Sequence, residues 1–279
     1  MEALPYIQEF RDSIIVVKFG GSAMEDPERK AGILKDIVFM ECAGMRPVVV
    51  HGGGKAISAR LAAENVETKF IQGLRYTCDR TISIVDDVLH NTVNAELIRI
   101  MDEFSGKPQA ISGKDVLRAK PVAQKCLDTG EELDLGHVGR VTDVDVETIH
   151  EVLDQRKVPV ITPLGCDESG RVFNINADMA ACRIAAKLKA KKLAFLSDVP
   201  GILESSDDEG SLISTIRLED VDTLIQRGVI HGGMVPKVRS AADALSEGVG
   251  KVHMIDGRVK HSLLLEIFTD QGIGTQIVH

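Results

Sequence analysis

Residues 14–22 read IIVVKFGGS and residues 48–54 read VVVHGGG, so two apolar runs each end in glycines. A short apolar run bounded by glycine is typical of a buried parallel strand. In open α/β sheets such strands lead through a bare backbone turn into a helix, and anionic ligands bind at that edge. The helix that follows presents unpaired N–H groups and the positive end of its dipole. Two such turns predict two anionic groups, or one group held from two sides.

The rest of the chain alternates between strand and helix patterns, which predicts an α/β fold with an open, mostly parallel sheet sandwiched by helices. Strands are expected over 14–19, 47–50, 158–162, 192–196, 251–255 and 275–278. Helices are expected over 27–42, 56–64, 79–104, 145–156, 177–188, 218–227, 235–247 and 260–268. Short apolar runs between glycines predict hairpins in 108–142. The acidic stretch 204–211 predicts a solvated loop. A boundary between two lobes is expected near 187–191.

The predicted helix 79–104 carries a long apolar stripe. Its members follow one another in steps of three and four residues: Ile82, Val85, Leu89, Val93, Leu97, Met101 and Phe104. This spacing places them on one face of a helix. We expect so long a stripe to need a partner surface, and a symmetric dimer would supply one.

Composition and charge exclude several classes of protein. The chain has 279 residues, 44% of them hydrophobic, and its formal charge of -9 argues against binding to nucleic acid or to a membrane surface. Five cysteines are scattered without a C-x-x-C pair, so neither a disulfide framework nor a zinc site is predicted. Residues 1–5 lack a basic and apolar signal pattern, and no apolar run approaches the roughly 20 residues of a membrane span. We therefore expect a cytoplasmic protein.

Three common nucleotide-binding or catalytic motifs fail in this sequence. A P-loop needs G-x-x-x-x-G-K-[ST], but Gly54 and Lys55 are followed by Ala56. Residues 51–54 resemble a lipase oxyanion loop, yet no G-x-S-x-G nucleophile motif occurs anywhere. The glycines at 272–274 lie too close to the end of the chain to open a dinucleotide site.

Cations and small polar groups remain at the turns. Lys18 stands at the carboxyl end of the first strand, and Lys237 follows the glycines at 232–233 where a helix should begin. Each could be an exposed lysine at the end of an element, but the neighbouring glycines favour a functional role. Arg75 could be a surface residue, or it could grip a carboxylate with two parallel hydrogen bonds. Residues 174–178, NINAD, could be a simple helix cap or could also carry function.

Eight motifs occur in an order that resembles the amino-acid kinase family, and within it the acetylglutamate kinases, over nearly the whole chain from residue 14. They are KFGG (18–21), HGGG (51–54), GLRYT (73–77), SGKD (112–115), LGHVG (135–139), NINAD (174–178), LSDVPGI (196–202) and GGMVPK (232–237). Each alone is weak, but eight in the family's order are specific. Two residues depart from the pattern: His231 stands where a smaller residue is expected, and Tyr76 where an aliphatic one is usual.

The resemblance implies phosphoryl transfer from ATP, with Mg²⁺ on the phosphates, to the side-chain carboxylate of N-acetyl-L-glutamate. It implies an acetylglutamate-binding lobe over 13–188 and an ATP-binding lobe over 189–279. It assigns the catalytic step to Lys18, Lys237, Asp178 and Gly21, and it assigns acceptor binding to Gly53, Gly54, Arg75, Asn174 and Asn176. It assigns ATP binding to Ser197, Asp198, Gly201, Ile202, Leu203, Val229, Ile230 and His231. It implies no tightly bound cofactor and no metal held by the protein itself.

Both chain ends resemble the arginine-inhibited, hexameric acetylglutamate kinases. Residues 1–12 form an amphipathic segment with Leu4, Ile7 and Phe10 at helical spacing, which in that subclass joins three dimers. The resemblance places an arginine effector on Tyr6, His253, Glu266, Gly272 and Gly274, with the Glu266 carboxylate gripping the guanidinium. A PII-type signalling protein is a possible partner on the same grounds.

Two alternatives stay open. The acceptor could be another acidic amino acid, aspartate or carrier-linked aminoadipate, although residues 73–77 favour acetylglutamate. The chain could also be a non-catalytic sensor of nucleotide or amino acid, although the joint presence of Lys18, Asp178 and Lys237 argues against that.

Overall fold

A computed structural model describes residues 4–125, 132–205, 207–269 and 272–279. The strands are β1 (Ile14–Phe19), β2 (Arg46–His51), β3 (Phe70–Ile71), β4 (Leu74–Arg75), β5 (Pro108–Ile111), β6 (Leu117–Pro121), β7 (Gln124–Lys125), β8 (Glu132–Leu133), β9 (Val138–Val144), β10 (Val158–Ile161), β11 (Leu164–Cys166), β12 (Val172–Ile175), β13 (Lys192–Ser197), β14 (Thr215–Arg217), β15 (Lys251–Asp256) and β16 (Thr275–Val278). The α-helices are α1 (Leu4–Phe10), α2 (Pro27–Cys42), α3 (Gly54–Ala63), α4 (Asp79–Asp87), α5 (Ala95–Glu103), α6 (Gly113–Val116), α7 (Val146–Asp154), α8 (Ala177–Lys187), α9 (Val221–Gln226), α10 (Met234–Ser246) and α11 (Ser262–Phe268).

An eight-stranded sheet in the order β14-β16-β15-β13-β1-β2-β10-β5 organises the fold. Its strand pairs are parallel except for β15 with β16, which confirms the predicted α/β class. Lys18 lies opposite Phe195 on one side and Val50 on the other. The carboxyl ends of β13, β1 and β2 therefore meet at one edge of the sheet.

Both faces of this sheet are covered, which explains the continuous apolar strands. Along β1, Val16 packs into one buried cluster, which also contains residues of α8 and α10. Ile15, Val17 and Phe19 pack into the opposite cluster, with α2, α4 and α5. Side chains of a strand alternate between faces, so Lys18 shares the face of Val16. Lys18 therefore points toward the layer that contains α8 and α10.

The prediction of hairpins in 108–142 is only partly right. β6 and β9 do pair as antiparallel strands, and with β11 and β12 they close a small four-stranded barrel. However, β5 is a parallel strand at the edge of the main sheet, next to β10. Its four residues are too short to distinguish from a hairpin strand by pattern alone. Residues 126–131 lie outside the described residues.

Residues 79–103 are helical as predicted, but α4 and α5 are joined by a π-helical stretch, Val88–Asn94. The expectation that the apolar stripe needs a partner subunit is wrong. Val85, Leu89, Leu97 and Met101 are almost fully buried within their own chain, among residues of α2 and of β2. The stripe is therefore part of the core, and it gives no reason by itself to invoke a dimer.

Several element ends differ from the sequence prediction. The helix expected at 56 begins at Gly54, and the helix expected at 260 begins at Ser262, because His261 adopts a left-handed backbone with φ 58°. The helix expected over 218–227 is a 3₁₀ turn followed by α9. The lobe boundary expected near 187–191 corresponds to the connection between α8 and β13. The main sheet continues across this boundary, because β13 pairs with β1. Within the described ranges, no helix is long and apolar enough to cross a bilayer.

Candidate active site

Two lysines meet one carboxylate at the sheet edge. Lys18 Nζ lies 2.9 Å from Asp178 Oδ1, and Lys237 Nζ lies 3.6 Å from Asp178 Oδ2. The three residues come from the end of β1, the first turn of α8 and the first turn of α10. We call this group the lysine–aspartate cluster. It carries one positive charge in excess, so it favours an anionic ligand.

Burial and charge act in opposite directions on Asp178. Burial opposes ionisation of this carboxyl, but the nearby charges of Lys18 and Lys237 outweigh it and hold the pKa of Asp178 below its usual range. Asp178 therefore stays ionised at neutral pH and keeps both ammonium groups in place.

Local sequence explains why α8 begins where it does. Asn176 adopts an extended backbone, and its Oδ1 accepts hydrogen bonds from the N–H groups of Asp178 and Met179. This is the N-cap role expected of asparagine. It brings Asp178 into the first turn, facing the lysines. In β12, Asn174 Nδ2 donates a hydrogen bond to Thr77 Oγ1 at 3.2 Å. This bond connects β12 to the segment that follows Arg75.

The glycines beside Lys18 allow close approach of the backbone. A Cβ at Gly20 would come within 2.8 Å of Lys18 Nζ, so a side chain there would push the ammonium group away. A Cβ at Gly53 would come within 2.6 Å of Leu89 Cδ2. Gly21 has a positive φ of 70°, in the region that favours glycine. Bare backbone at Gly20 therefore lies next to Lys18, and Gly53 packs closely against Leu89.

Next to these turns lies a cavity of about 180 Å³. Among its lining residues are Gly53, Gly54, Arg75, Asn174 and Asn176, the acceptor-binding set expected from the sequence. We call it the acceptor cavity. The structure therefore brings this set together beside Asp178.

One terminal nitrogen of Arg75 has no hydrogen-bond partner in this cavity. Its Nη2 donates to Gly54 O at 2.9 Å and to Ser58 Oγ at 2.8 Å, and its guanidinium stacks over the Phe70 ring at 4.8 Å. Its Nη1 is buried and has no hydrogen-bond partner among the described residues. Burial lowers the pKa of Arg75, yet a guanidinium remains charged at neutral pH. A buried cation with a free donor fits a carboxylate ligand.

Part of the set expected to bind ATP, from Ser197 to Leu203, follows the end of β13, and the rest, Val229 to His231, lies between α9 and α10. Ser197 closes β13, and Gly201 packs so tightly on Thr275 that a Cβ would come within 2.6 Å of its Oγ1. The side chains of Ile202 and Ile230 are buried in the core, so only their backbone could contact a nucleotide. His231 is exposed, with Nδ1 3.1 Å from Gly228 O. The remaining members, Asp198, Leu203 and Val229, are exposed or half-buried.

A second, larger cavity of about 710 Å³ contains the five residues expected to bind an effector. They are Tyr6, His253, Glu266, Gly272 and Gly274. Glu266 Oε1 lies 2.7 Å from His253 Nδ1, while its Oε2 accepts hydrogen bonds from the N–H groups of Ile273 and Gly274. We call this group the glutamate cluster. Its carboxylate is held in one orientation.

The sequence prediction missed Lys192 in this second cavity. Lys192 is buried at the start of β13, with Nζ 4.5 Å from the centre of the Phe10 ring. Burial lowers the pKa of Lys192 to about 8. The available signal in the sequence was a lysine at the first position of the otherwise apolar strand β13. Within the described ranges, no group of three or more His, Cys, Asp or Glu side chains is placed to hold a metal ion.

Comparison with known proteins agrees with this fold. Residues 13–256 match the model of the amino acid kinase family, and the chain belongs to that family. It is similar to the acetylglutamate kinase of Carboxydothermus hydrogenoformans, with 47% identity over 99% of this chain and 96% of that protein. It is also similar to the acetylglutamate kinase of Aquifex aeolicus, with 44% identity over 99% of this chain and 95% of that protein. The resemblance seen in the sequence motifs is thereby confirmed.

Solved structures share the fold. N-acetylglutamate synthase from Neisseria gonorrhoeae, complexed with coenzyme A and N-acetyl-glutamate, matches with a TM-score of 0.85 and 27% identity. This chain aligns over its whole length but spans only 62% of that protein. Carbamate kinase from Giardia matches with a TM-score of 0.70 and 16% identity over 95% of this chain and 98% of the kinase, which shows a common fold.

Proposed function

We propose that this protein transfers the γ-phosphoryl group of ATP to the side-chain carboxylate of N-acetyl-L-glutamate, a step of arginine biosynthesis. The product is N-acetyl-L-glutamyl 5-phosphate. The observation that carries the proposal is the lysine–aspartate cluster, in which two cations from different elements share one carboxylate beside the acceptor cavity. Relatives named acetylglutamate kinase, which align over nearly the full length of both chains, support the choice of acceptor.

The chemistry requires no general base. A side-chain carboxylate with an ordinary pKa near ~4.3 is already ionised at neutral pH, so one of its oxygens can attack the γ-phosphorus directly. Transfer then depends on alignment and on neutralising charge on the moving group. Lys18 and Lys237 supply two positive charges, and Asp178 holds both of them in position. The amides of Gly20, Gly21 and Gly53 supply further donors.

Mg²⁺ is proposed to arrive with ATP rather than to occupy a site made by the protein. Mg²⁺ binds phosphate oxygens readily and keeps several waters, so a dedicated cluster of carboxylates is not required. When bound, it neutralises charge on the β- and γ-phosphates.

The acceptor cavity suits an acylated amino acid with two carboxylates. The unpartnered Nη1 of Arg75 would donate to one carboxylate of N-acetyl-L-glutamate. Gly53, Gly54, Asn174 and Asn176 would complete the pocket. Residues 13–188 would thus bind the acceptor, and residues 189–279 would bind ATP around Ser197 and His231.

An ATP-dependent hydroxamate assay tests this proposal. Hydroxylamine traps an acyl phosphate, and the assay should be run with N-acetylglutamate, glutamate, aspartate and aminoadipate. We expect Mg²⁺-dependent product with N-acetylglutamate well above the others. Equal or greater turnover of aspartate would favour a related acidic amino acid as acceptor. Nucleotide binding without product from any acceptor would favour a sensor.

A second proposal is feedback inhibition by arginine in the larger cavity. The supporting observation is that Tyr6, His253, Glu266, Gly272 and Gly274 all line one space of about 710 Å³. A carboxylate can accept about four hydrogen bonds, so Glu266 retains capacity for a guanidinium after binding His253 and two amides. The synthase from Neisseria gonorrhoeae, 26% identical to this chain over 64% of that protein and with a TM-score of 0.83, has been solved in complex with L-arginine.

This second proposal includes a hexamer built from three dimers. α1 contributes Tyr6 to the cavity and contacts α11, the helix that carries Glu266. A change in how α1 docks would therefore reach the effector site directly. Removing residues 1–12 should give an active dimer with reduced sensitivity to arginine. Unchanged activity of the intact enzyme in saturating arginine, or a native mass of two subunits, would refute it.

A further inference from the structure

His51 is buried directly behind the second glycine turn. It ends β2, has no exposed surface, and its Nδ1 lies 2.8 Å from the carbonyl oxygen of Gly52. Complete burial lowers the pKa of His51 to about 4, so its ring is neutral in the folded protein at neutral pH. A neutral imidazole has one N–H and one bare nitrogen. Which nitrogen carries the proton decides whether the ring can donate to Gly52.

Asn94 settles that question. Its Nδ2 donates to the carbonyl oxygen of Val160 at 3.0 Å, which identifies this atom as the amide nitrogen rather than the oxygen. The same Nδ2 lies 3.1 Å from His51 Nε2. Since Nδ2 can only donate, His51 Nε2 must be the bare, accepting nitrogen. The proton is then on Nδ1, which donates to Gly52 O.

This hydrogen bond fixes the orientation of a peptide group that borders the acceptor cavity. In a trans peptide the C=O and N–H bonds point in opposite directions. Holding the Gly52 carbonyl toward His51 therefore turns the Gly53 N–H away from His51. In the described structure the Gly53 N–H has no hydrogen-bond partner, and Gly53 lines the acceptor cavity.

The π-helical stretch supports the same turn from a second direction. Leu89 packs so closely on Gly53 that a Cβ there would meet it at 2.6 Å, and Val93 would lie at 3.5 Å. Asn94 is the last residue of the same stretch. On the other side, Gly52 N–H donates to Phe19 O at 2.7 Å. The turn is thus held by β1, by His51 and by the π-helical stretch, and π-helical turns are frequent at functional sites.

We propose that His51 and Asn94 are positioning residues that lock the Gly52–Gly53 peptide with its N–H facing the transferring phosphoryl group. Neither side chain touches a substrate. His51 acts through the Gly53 amide, and Asn94 acts through the tautomer of His51. The inference rests on the proposed kinase reaction and deepens it.

Steady-state kinetics of four variants test the inference. His51→Leu removes the donor and should lower kcat about 10²-fold, with a smaller change in KM for N-acetylglutamate, because a transition-state donor is misaligned. His51→Asn places an amide Nδ2 near the former Nδ1 and should restore most of the loss. Asn94→Leu removes the donor that fixes the tautomer of the His51 ring, so kcat should fall by less than in His51→Leu. Val49→Ala, a buried apolar change in the same strand, is the matched control and should lower stability while keeping kcat.

The outcomes separate this inference from the proposed function. A wild-type chain that phosphorylates none of the acceptors contradicts the proposed function. An active wild type combined with a folded His51→Leu variant of unchanged kcat contradicts only the positioning role. An effect on KM alone, or His51→Asn as slow as His51→Leu, also contradicts it.

A measurement on the wild type keeps the inference testable if the variants unfold. Nitrogen NMR shifts of ¹⁵N-histidine-labelled protein distinguish the two tautomers of each ring. We expect the signal assigned to His51 to show a protonated Nδ1 and a bare Nε2, and to remain that of a neutral ring at pH 5. A signal assigned to His51 with the proton on Nε2, or a ring charged at pH 5, would overturn the inference.

Discussion

The lysine–aspartate cluster and the glutamate cluster both bury carboxylates, but they balance charge in opposite ways. Around Asp178, two cations share one anion, and the acceptor cavity contains the Arg75 guanidinium, whose buried Nη1 has no hydrogen-bond partner among the described residues. Around Glu266, one anion is held by a histidine and two backbone amides. The first arrangement attracts an anion and can stabilise charge that develops during transfer. The second presents an oriented carboxylate and suits recognition of a cation.

The difference teaches that burial of an acidic residue does not define its role. Burial opposes ionisation of both Asp178 and Glu266, and in both cases partners outweigh it and keep the pKa low. The nature of those partners distinguishes the two sites. Charged lysines leave the first cluster with a net positive charge, whereas a mostly neutral histidine and two amides leave the second cluster with a net negative charge. Lys192 lies in the same cavity as Glu266 and is not hydrogen-bonded to its carboxylate among the described contacts.

The largest effect is expected from removing a cation of the lysine–aspartate cluster. Lys237→Ala or Lys18→Ala should lower kcat by roughly 10² or more, with a smaller rise in KM, because each charge acts mainly on the transition state. Steady-state kinetics with N-acetylglutamate and ATP measure this. Lys191→Ala, at an exposed lysine paired loosely with Glu9, is the control. A Lys237→Ala enzyme with near-normal kcat would remove that residue from the mechanism.

Arg75 should behave differently from the two lysines. Arg75→Ala should raise KM for N-acetylglutamate by about 10- to 100-fold, because it removes a buried charged donor to the bound carboxylate. Its effect on kcat should be smaller than that of Lys237→Ala. Arg80→Ala removes an exposed arginine of α4 and should leave KM unchanged. A fall in kcat with normal KM for Arg75→Ala would move this residue from binding to catalysis.

Acid should weaken the fold through His51. The folded protein holds the pKa of His51 near 4, against 6.5 for a free histidine, so the unfolded chain binds the proton first. The stabilising contribution is complete above pH 6.5 and is lost as pH falls toward 4. It should amount to about 2 kcal/mol between pH 7 and pH 5. Urea unfolding of wild type and of His51→Leu across this range measures it, and equal slopes would contradict the assignment.

The smallest effect is expected in the glutamate cluster. Glu266→Gln keeps the shape and an acceptor for the amides but removes the charge, so the arginine concentration for half-inhibition should rise about tenfold. Inhibition curves at fixed substrate concentrations measure it. Glu219→Gln on the surface is the matched control. Identical arginine inhibition curves for wild type and Glu266→Gln would contradict the proposed arginine site in the second cavity.

Much of the fold was predictable from local patterns. Both glycine turns, α2 and six of the eight strands of the main sheet followed from apolar runs and the glycines that bound them, whereas β5 and β14 did not. The partner of the 79–104 stripe was not predictable, because periodicity shows that a face is buried but not what covers it. β5 was missed because four residues carry too little pattern to distinguish a parallel edge strand from a hairpin.

The candidate site was predictable where its residues lie in recognisable local motifs. It was not predictable where residues distant in sequence come into contact only in the folded chain. Lys18, Asp178 and Lys237 stand beside glycines or a helix cap, so local context marked them. Asn94 lies 43 residues from His51 in sequence, and only the fold brings the two together. Lys192 was missed because one lysine at a strand end is usually exposed.

Oxygen labelling tests the central claim most directly. N-acetylglutamate labelled with ¹⁸O in both side-chain carboxylate oxygens is incubated with the enzyme, Mg²⁺, ATP and hydroxylamine. If a carboxylate oxygen attacks the γ-phosphorus and ADP leaves, that oxygen bridges carbon and phosphorus in the product. Hydroxylamine then attacks the acyl carbon and releases the bridging oxygen with phosphate. The account predicts phosphate carrying one ¹⁸O, and unlabelled phosphate formed together with hydroxamate would contradict it.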